Sequence, residues 1–180
     1  MTEPVVHDEM YCDGGLLTPA PSEYGGTYAW CRVRDGQIID SASGLFLTGP
    51  GMPTVENNLT EIIALTQALA SLPDRWSGRL YSDNMNALQR AQGRFAMRNV
   101  PEEWKEKLFA NTRRLGAITY VLLGGHPTDA DLASGRRKKD GKPVSQWQRW
   151  CDKECCRLAD EYWAAKGGSP TRKPKKSKAK

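Results

Sequence analysis

The pattern of apolar residues changes from strand-like to helix-like at Asn58, and this single change narrows the choice of fold. Before it, three segments have the composition of strands, namely Met10 to Leu17, Thr27 to Val33 and Gln37 to Leu47. Asp35-Gly36 is a hairpin turn signal between the last two. After Asn58, apolar residues recur at steps of three and four, which predicts a helix. The chain therefore begins with three antiparallel strands followed by a helix.

The rest of the chain alternates strand-like and helix-like segments. Leu80 to Asp83 has the pattern of a buried strand that feeds a helix, and Pro101 suits the first turn of another helix. The segment after Gly116 is the most strand-like in the chain. Residues 124–143 have the composition of a loop, and helical spacing resumes at Ser145. The order βββ-α-β-α-α-β-α predicts an α/β domain with one five-stranded mixed sheet flanked by helices.

Positive charge is concentrated at the C-terminus. The net charge is +5, but six basic residues lie between Arg172 and Lys180, and residues 1–171 carry 20 basic against 21 acidic groups. This end is too poor in apolar residues to offset the cost of ordering it. We therefore predict one domain over residues 1–167 and a disordered basic tail over residues 168–180.

The sequence has no segment typical of a membrane span or a secretion signal. Its five cysteines are odd in number and include no C-x-x-C pair, which favours reduced thiols in a cytosol. We therefore expect a soluble, cytoplasmic monomer that has no membrane partner.

Four acidic residues stand where the predicted elements begin or end. They are Asp13 in the first strand, Glu61 at the start of the first helix, Asp83 after the fourth strand and Asp152 early in the last helix. If they converge, charges about 4 Å apart repel by roughly 4 kcal/mol per pair at an effective dielectric near 20. Bound cations would offset that repulsion, and oxygen ligands favour Mg²⁺ or Mn²⁺ over zinc.

Each acid also has an ordinary explanation when it is considered alone. Asp13 could cap a glycine turn, Glu61 could be favoured by the helix dipole, and Asp83 could be a helix N-cap. These explanations account for each residue but not for their order along the chain.

The acids lie within five motifs, which are YCDGG, NNLTEIIALTQAL, LYSDN, GGHPT and WCDKECCRLA. Over roughly residues 8–165 this ordered set resembles the type 1 ribonuclease H family. The family pattern is Asp-Gly on the first strand, Asn-Asn-x-x-Glu opening the first helix, and Ser/Thr-Asp ending the fourth strand. It continues with Gly-His in a loop and an Asp early in the last helix. Each motif alone is common, whereas five in order on compatible elements are specific.

The resemblance implies an RNase H-like fold and hydrolysis of the RNA strand of an RNA–DNA hybrid, leaving 5′-phosphate and 3′-hydroxyl ends. It implies two metal ions, Mg²⁺ or Mn²⁺, with Asp13 bridging both. Asp152 would hold the ion that activates water, and Glu61 and Asp83 would hold the ion that stabilises the leaving oxygen. His126 would assist proton transfer or product departure, as histidine commonly does near neutral pH.

Further residues are assigned to the substrate. In the family, the first Asn of Asn-Asn contacts the hybrid backbone or minor groove, where 2′-hydroxyls mark RNA; a turn before the helix is the alternative. The basic run before the last helix would contact phosphates, or it would be solvated charge only. The residues assigned to the substrate are Gly14, Asn57, Asn58, Asn84, Arg136, Arg137, Lys138 and Lys139.

The chain departs from the family pattern near its last motif. The loop after His126 is longer than usual, and no Asn precedes Asp152 at the familiar position, so Asp160 is a competing ligand. Eight residues of helix separate two side chains by about 12 Å, so both cannot be ligands. Asp152 is favoured because it follows the more family-like Cys-Asp pair and lies nearer the helix start. The family's basic helical protrusion between the middle helices is also not evident.

Alternative sites and functions remain. Cys151, Cys155 and Cys156 could bind zinc, although cysteines on an apolar helix face are ordinarily buried. Trp147 and Trp150 could be core residues or could stack on bases. The alternative functions are a noncatalytic nucleic-acid-binding module of the same fold and another RNase H-like metal nuclease. The intact carboxylate set argues against the first, and the lack of Asp-x-Glu on the first strand argues against an exonuclease.

Overall fold

The computed structural model describes residues 8–48 and 54–169. They form β1 Glu9–Leu16, β2 Gly25–Arg34, β3 Gln37–Leu47, α1 Asn57–Ala70, β4 Gly78–Ser82, α2 Met85–Ala91, α3 Glu102–Arg114, β5 Ile118–Leu122, α4 Asp129–Ser134 and α5 Gln146–Ala165. All the predicted elements occur in the predicted order, and α4 is an addition. Residues 170–180, which include most of the predicted tail, lie outside the described residues, so the tail and the domain boundary stay predictions.

The strands form one five-stranded sheet in the order β3-β2-β1-β4-β5. β1 and β3 are antiparallel to β2, whereas β4 is parallel to both β1 and β5. The turn between β2 and β3 lies at Asp35 and Gly36, whose φ angles of 50° and 72° suit a two-residue hairpin. The prediction of a mixed sheet that starts with three antiparallel strands is confirmed.

Helices cover both faces of the sheet. Alternate residues of β1 point to opposite faces, so that Met10 and Cys12 pack against α1 while Tyr11 packs against α5. Trp147 and Trp150 of α5 are partly buried against this second layer, which agrees with a core role. No helix in the described part of the chain is long and apolar enough to cross a membrane.

The segment between β5 and α5 contains a helix that the sequence did not predict. In α4, Thr128 Oγ1 accepts a hydrogen bond from the Asp131 N–H, and Asp131 Oδ2 accepts one from the Thr128 N–H. The helix ends at Gly135, where φ is 73°. The loop prediction for residues 124–143 was therefore wrong over these six residues, because so short a helix shows no apolar periodicity.

The sheet order brings the ends of two central strands together. Because β1 and β4 are parallel neighbours, their carboxyl ends meet at the same edge of the sheet. Asp13 lies late in β1, and Asp83 directly follows β4. Two residues that are 70 positions apart in sequence are thereby placed side by side.

Candidate active site

Three of the predicted carboxylates converge at this edge. Asp13, Glu61 and Asp83 each offer one oxygen, and these oxygens all lie within 4.8 Å of one another. Asp13 and Glu61 are buried, and Asp83 is half-buried. Within residues 8–48 and 54–169, this is the only cluster of acidic, histidine or cysteine side chains close enough to hold a metal ion.

A close backbone contact brings Asp13 and Glu61 together. A Cβ added to Gly14 would lie 2.5 Å from the carbonyl carbon of Thr60 and 2.7 Å from the nitrogen of Glu61. Only glycine allows β1 and α1 to approach this closely. The Gly14 N–H also donates to Asp13 Oδ1 at 3.0 Å. Gly14 therefore has a packing role, and its assignment to the substrate stays a prediction.

The turn between β4 and α2 directs Asp83 towards the other carboxylates. Ser82 Oγ accepts from the Asn84 N–H at 3.0 Å, and Asn84 Oδ1 accepts from the Ala87 N–H at 2.9 Å. Asn84 is thus the N-cap of α2, and the alternative of an Asp83 cap is wrong. Glu61 lies beyond the first turn of α1, where the helix dipole has little effect, so that explanation also fails.

The carboxyl groups raise one another's pKa. Burial raises the pKa of Asp13 well above its usual value, and the charges of Asp83 and Asp152 add to the effect. Burial, Asp13 and Asp83 likewise raise the pKa of Glu61. Burial raises the pKa of Asp83, although a positive charge on His126 opposes that change. Without a cation, the cluster therefore tends to bind protons.

The donor set fits a divalent cation. Glu61 Oε2 is buried and has no hydrogen-bond partner in the described part of the chain. A buried acceptor left in this way costs about 1–3 kcal/mol, and more when it is charged. A bound cation would remove that cost and would neutralise the clustered charge. Because all three ligands are carboxylate oxygens, the ion favoured is a hard one such as Mg²⁺ or Mn²⁺.

A cavity of about 420 Å³ contains this cluster and extends to α5. Its lining includes Asp13, Gly14, Asn57, Glu61, Asp83, Asn84, His126, Asp152 and Cys156. Asp152 Oδ2 lies 3.7 Å from Nδ1 of His126, whose side chain is 82% exposed. The structure thus brings the four predicted acids and the predicted histidine to one cavity, which the histidine borders from the solvent side.

The two late aspartates are separated by the structure. Asp152 lines the carboxylate cavity, whereas Asp160 lines a neighbouring cavity together with Trp163. The charge of Asp152 also affects the pKa of Asp13. The geometry therefore favours Asp152 as the acid that α5 contributes.

The two predicted asparagines of α1 face different cavities. Asn57 lines the carboxylate cavity, and Asn58 lines a separate one with Arg90 and Arg98. Both are the first residues of α1 rather than a turn before it. Contacts of either residue with a substrate stay predictions.

The basic run borders the active site without lining the carboxylate cavity. All four basic residues, Arg136 to Lys139, line an open cavity of about 1,070 Å³ that shares His126 with the carboxylate cavity. The guanidinium of Arg136 donates to the Gly141 carbonyl oxygen at 3.2 Å. Arg137 differs from the other three because its guanidinium pairs with the carboxylate of Asp140 and also donates to the Gly125 carbonyl oxygen. The sequence analysis did not predict that Arg137 makes these hydrogen bonds within the protein.

The cysteines of α5 form no zinc site among the residues that the structure describes. Cys151 and Cys155 are buried between α5 and the sheet, where Cys155 Sγ donates to the Asp13 carbonyl oxygen at 3.5 Å. Burial raises the pKa of both thiols, whereas zinc binds thiolates. The interpretation of these two residues as core is supported.

Supporting residues escaped the sequence analysis. Gln148 is buried, and its side-chain amide donates to the Cys12 carbonyl oxygen at 3.0 Å, which ties α5 to β1 beside Asp13. A Cβ added to Gly125 would lie 2.4 Å from Oδ2 of Asp83, so Gly125 packs directly on that carboxylate. A glutamine near the start of the last helix and a Gly-Gly pair before the histidine were the available signals.

The raised pKa values predict how stability depends on pH. A carboxyl whose pKa is higher in the folded than in the unfolded state binds its proton more tightly when the protein is folded. Its contribution to stability is fully present below the unfolded-state pKa near 4 and is lost as pH rises through the folded-state pKa. In EDTA, we expect the free energy of unfolding to fall by roughly 1–3 kcal/mol between pH 5.5 and 8. Mg²⁺ at pH 8 should restore part of it, because it binds only the folded state.

Urea unfolding at several pH values, with and without Mg²⁺, measures this change. Asp140 is a suitable contrast because its ion pair with Arg137 holds its pKa far below the usual value. Above pH 5 the Asp140 carboxyl is ionised in both the folded and the unfolded protein. It therefore adds nothing to the pH dependence of the free energy of unfolding between pH 5.5 and 8. A free energy of unfolding that rises with pH in EDTA would contradict the assignment of the cluster.

No family model matches the chain, and no curated protein matches its sequence. Solved structures do. The N-terminal RNase H domain of Rv2228c from Mycobacterium tuberculosis, determined as a fusion with maltose-binding protein, superposes with a TM-score of 0.60. It matches 90% of this chain and 98% of that chain at 14% identity.

The fold is that of ribonuclease H. RNase H1 from the archaeon Halobacterium salinarum matches with a TM-score of 0.55 and 16% identity, over 86% of this chain and 98% of that chain. LC11-RNase H1, solved in complex with an RNA/DNA hybrid, matches with a TM-score of 0.58 and 14% identity over the same shares of the two chains. The RNase H-like architecture predicted from the motifs is therefore confirmed.

Proposed function

We propose that this protein is a metal-dependent endoribonuclease that hydrolyses the RNA strand of RNA–DNA hybrids and leaves 5′-phosphate and 3′-hydroxyl ends. One observation carries the proposal: Asp13, Glu61 and Asp83 meet within 4.8 Å at the edge of an RNase H-like sheet. Asp152 and His126 border the same cavity. The complex of a structurally similar protein with an RNA/DNA hybrid supports the choice of substrate.

The four carboxylates would hold two divalent ions, Mg²⁺ or Mn²⁺. Asp13 would be the carboxylate common to both ions, because Glu61 and Asp83 lie beside it and the charge of Asp152 affects its pKa. When bound, the ions lower the pKa of the attacking water and stabilise the leaving oxygen. The chain contributes by holding the carboxylates rigidly, through the Gly14 contact on one side and Gln148 on the other.

The remaining polar residues of the cavity bind the substrate and move protons. His126 lies 3.7 Å from Asp152 at the exposed rim, where its imidazole can accept or release a proton beside the scissile phosphate. Asn57 and Asn84 line the cavity and can bond to sugar hydroxyls. The 2′-hydroxyl distinguishes RNA from DNA, so contacts of this kind would select the RNA strand.

A substrate panel tests the proposal. We expect the purified protein, with Mg²⁺ or Mn²⁺, to cleave the RNA strand of a labelled hybrid and to leave duplex RNA, duplex DNA and single-stranded RNA largely intact. EDTA should stop cleavage, and Glu61→Gln should remove it. Preferential cleavage of branched or duplex DNA would identify another nuclease of this fold, and binding without cleavage would identify a noncatalytic module. Monomeric state and cytoplasmic location stay predictions.

The C-terminal cations should strengthen binding to the hybrid. Deletion of residues 170–180 removes six basic groups and no candidate metal ligand. Each lost phosphate contact should reduce the steepness of log affinity against log salt by about 0.9, while single-turnover cleavage at saturating hybrid stays the same. A full-length variant with the six residues replaced by glutamine is the control for chain length. An unchanged slope would assign the electrostatic role to residues 136–142 instead.

A further inference from the structure

The imidazole of His126 is placed by its main chain rather than by packing. Its side chain is 82% exposed, and its nearest ionic partner is Asp152 at 3.7 Å. Its φ is 49°, in the left-handed region that is uncommon for residues other than glycine. Whatever holds the main chain at this point therefore sets where the imidazole lies.

The glycines before His126 lie between the active site and the basic run. On one side, a Cβ at Gly125 would be 2.4 Å from Asp83 Oδ2. On the other side, a Cβ at Gly124 would be 3.1 Å from Nε of Arg137. Arg137 Nη1 also donates to the Gly125 carbonyl oxygen at 2.6 Å. Arg137 therefore bonds directly to the peptide group that joins Gly125 to His126.

The guanidinium of Arg137 is itself held in place. Its Nε donates to Asp140 Oδ1 at 3.0 Å, and its Nη2 donates to the other oxygen of Asp140. The main chain closes the same turn, since the Gly141 N–H donates to the Arg137 carbonyl oxygen at 2.7 Å and the Arg137 N–H donates to the Lys142 carbonyl oxygen at 2.8 Å. Nη1 is left to bond to the Gly125 carbonyl. Lysine cannot make this set of bonds from one planar group.

A second tie anchors the segment. Asp131 is buried, and its carboxylate accepts from the Thr128 N–H at 3.0 Å and from the Lys138 N–H at 2.8 Å. The residue after Arg137 is thereby fixed to the start of α4, two residues beyond His126. Lys139, in contrast, makes no hydrogen bond or ion pair in the described part of the chain and is exposed.

We propose that Arg137, oriented by Asp140, is a positioning residue that fixes the Gly125 peptide and thereby places the His126 imidazole beside Asp152. The proposal rests on the proposed hydrolysis of hybrids. The extra length of the segment between β5 and α5 then serves to support the histidine. Arg137 is distinguished from Lys138 and Lys139, whose exposed ammonium groups are free to contact phosphates.

Kinetics distinguish positioning from phosphate binding. We expect Arg137→Ala to lower kcat by about 10- to 100-fold with little change in KM, since a misplaced group costs this much. Arg137→Lys should have a kcat as low as that of Arg137→Ala, and Asp140→Asn should lower kcat by a smaller factor. Lys139→Ala removes the same charge from the same turn and should raise KM instead. Restoration by lysine, or an effect of Arg137→Ala on KM alone, would overturn the proposal.

A double-mutant cycle shows whether Arg137 acts through His126. If it does, Arg137→Ala should lower kcat little further in a His126→Ala background. If the two residues act independently, the factors by which the two substitutions lower kcat should multiply. Thermal unfolding of each variant shows whether the fold is retained. Multiplicative effects in folded variants would overturn the proposal.

NMR provides a readout that does not require activity. The chain has two histidines, so the His126 imidazole signals can be assigned by comparison with His126→Ala. Arg137→Ala and Arg137→Lys should shift or broaden those signals, and Lys139→Ala should not. Unchanged signals in the Arg137 variants would overturn the positioning role. If the wild-type protein fails to cleave hybrids but its signals respond as expected, the proposed function fails and the positioning role stands.

Discussion

Asp13→Asn is expected to reduce hydrolysis of the hybrid by about 10³-fold while it makes the metal-free protein more stable. The loss follows from the removal of one carboxylate charge beside the proposed cations, an interaction of about 4 kcal/mol at 4 Å in an effective dielectric near 20. That energy corresponds to a factor of about 10³ in rate. The gain in stability has the same origin, because Asp13 lies within 4.8 Å of two other carboxylates.

Activity and urea unfolding in EDTA should be measured on the same preparation. Relief of charge repulsion should raise the free energy of unfolding by about 1–3 kcal/mol above pH 7, and the gain should shrink at pH 5.5, where the cluster binds protons. Replacement of an active-site carboxylate typically lowers activity and raises stability, whereas replacement of a structural carboxylate lowers the stability of the protein.

Asp8→Asn is the matched control. Asp8 is also buried and stands just before β1, but it accepts hydrogen bonds from Arg32 and Arg34 at 2.8 and 2.7 Å. Its replacement should lower the free energy of unfolding by about 1–3 kcal/mol and leave kcat unchanged. Near wild-type cleavage by Asp13→Asn, or a loss of stability equal to that of Asp8→Asn, would show that Asp13 is a structural residue.

Asp152→Asn and Asp160→Asn should differ by at least about 10²-fold in kcat, although both replace an aspartate of the same helix. Asp152 lines the carboxylate cavity next to His126, and Asp160 lines the neighbouring cavity. Eight residues of α-helix place the second aspartate about 12 Å further along α5. If Asp152 holds the proposed water-activating ion, its loss should cost roughly 10²-fold or more in kcat, and the change at Asp160 should stay within about twofold.

Metal binding provides a second measurement for this pair. A calorimetric titration with Mn²⁺ should show weaker binding of the ion to Asp152→Asn and wild-type affinity for Asp160→Asn. The same ranking is expected in activity, since both depend on the cavity. A larger effect of Asp160→Asn in either measurement would mean that α5 presents another turn to the active site.

The sequence predicted the elements well because each leaves a strong local signal. The hairpin at Asp35-Gly36 and the apolar spacing of α1 depend on backbone preferences and burial, which act within a few residues. The motifs predicted the carboxylates for a related reason. Asp13 is followed by a glycine that must contact α1, and Asp83 is followed by the residue that caps α2, so each acid lies within a local pattern.

The segment between β5 and α5 was harder to predict because its order depends on a few polar contacts. α4 spans six residues and is held by a capping box rather than by an apolar face. Arg137 belongs to a run of four cations that are equivalent in sequence. Only its position opposite Asp140 and Gly125 separates it from Lys139, and that position results from the folded turn.

The sequence by itself determined the order of strands and helices, the mixed sheet that begins with three antiparallel strands, and the candidate acids, because apolar periodicity, turn signals and short motifs are encoded locally. The pairing of β1 with β4, which brings Asp13 beside Asp83, came from the tertiary structure. The motifs favoured Asp152 over Asp160 and Asn57 over Asn58, and the tertiary structure shows that Asp152 and Asn57 line the carboxylate cavity. Tertiary structure alone decided which cation bonds to the peptide before His126. These choices depend on the rotation of a helix or on one hydrogen bond across a turn. Neither the rotation of a helix nor a single hydrogen bond changes the spacing of apolar residues in the sequence. The spacing of polar residues on an exposed surface is compatible with several orientations of the helix.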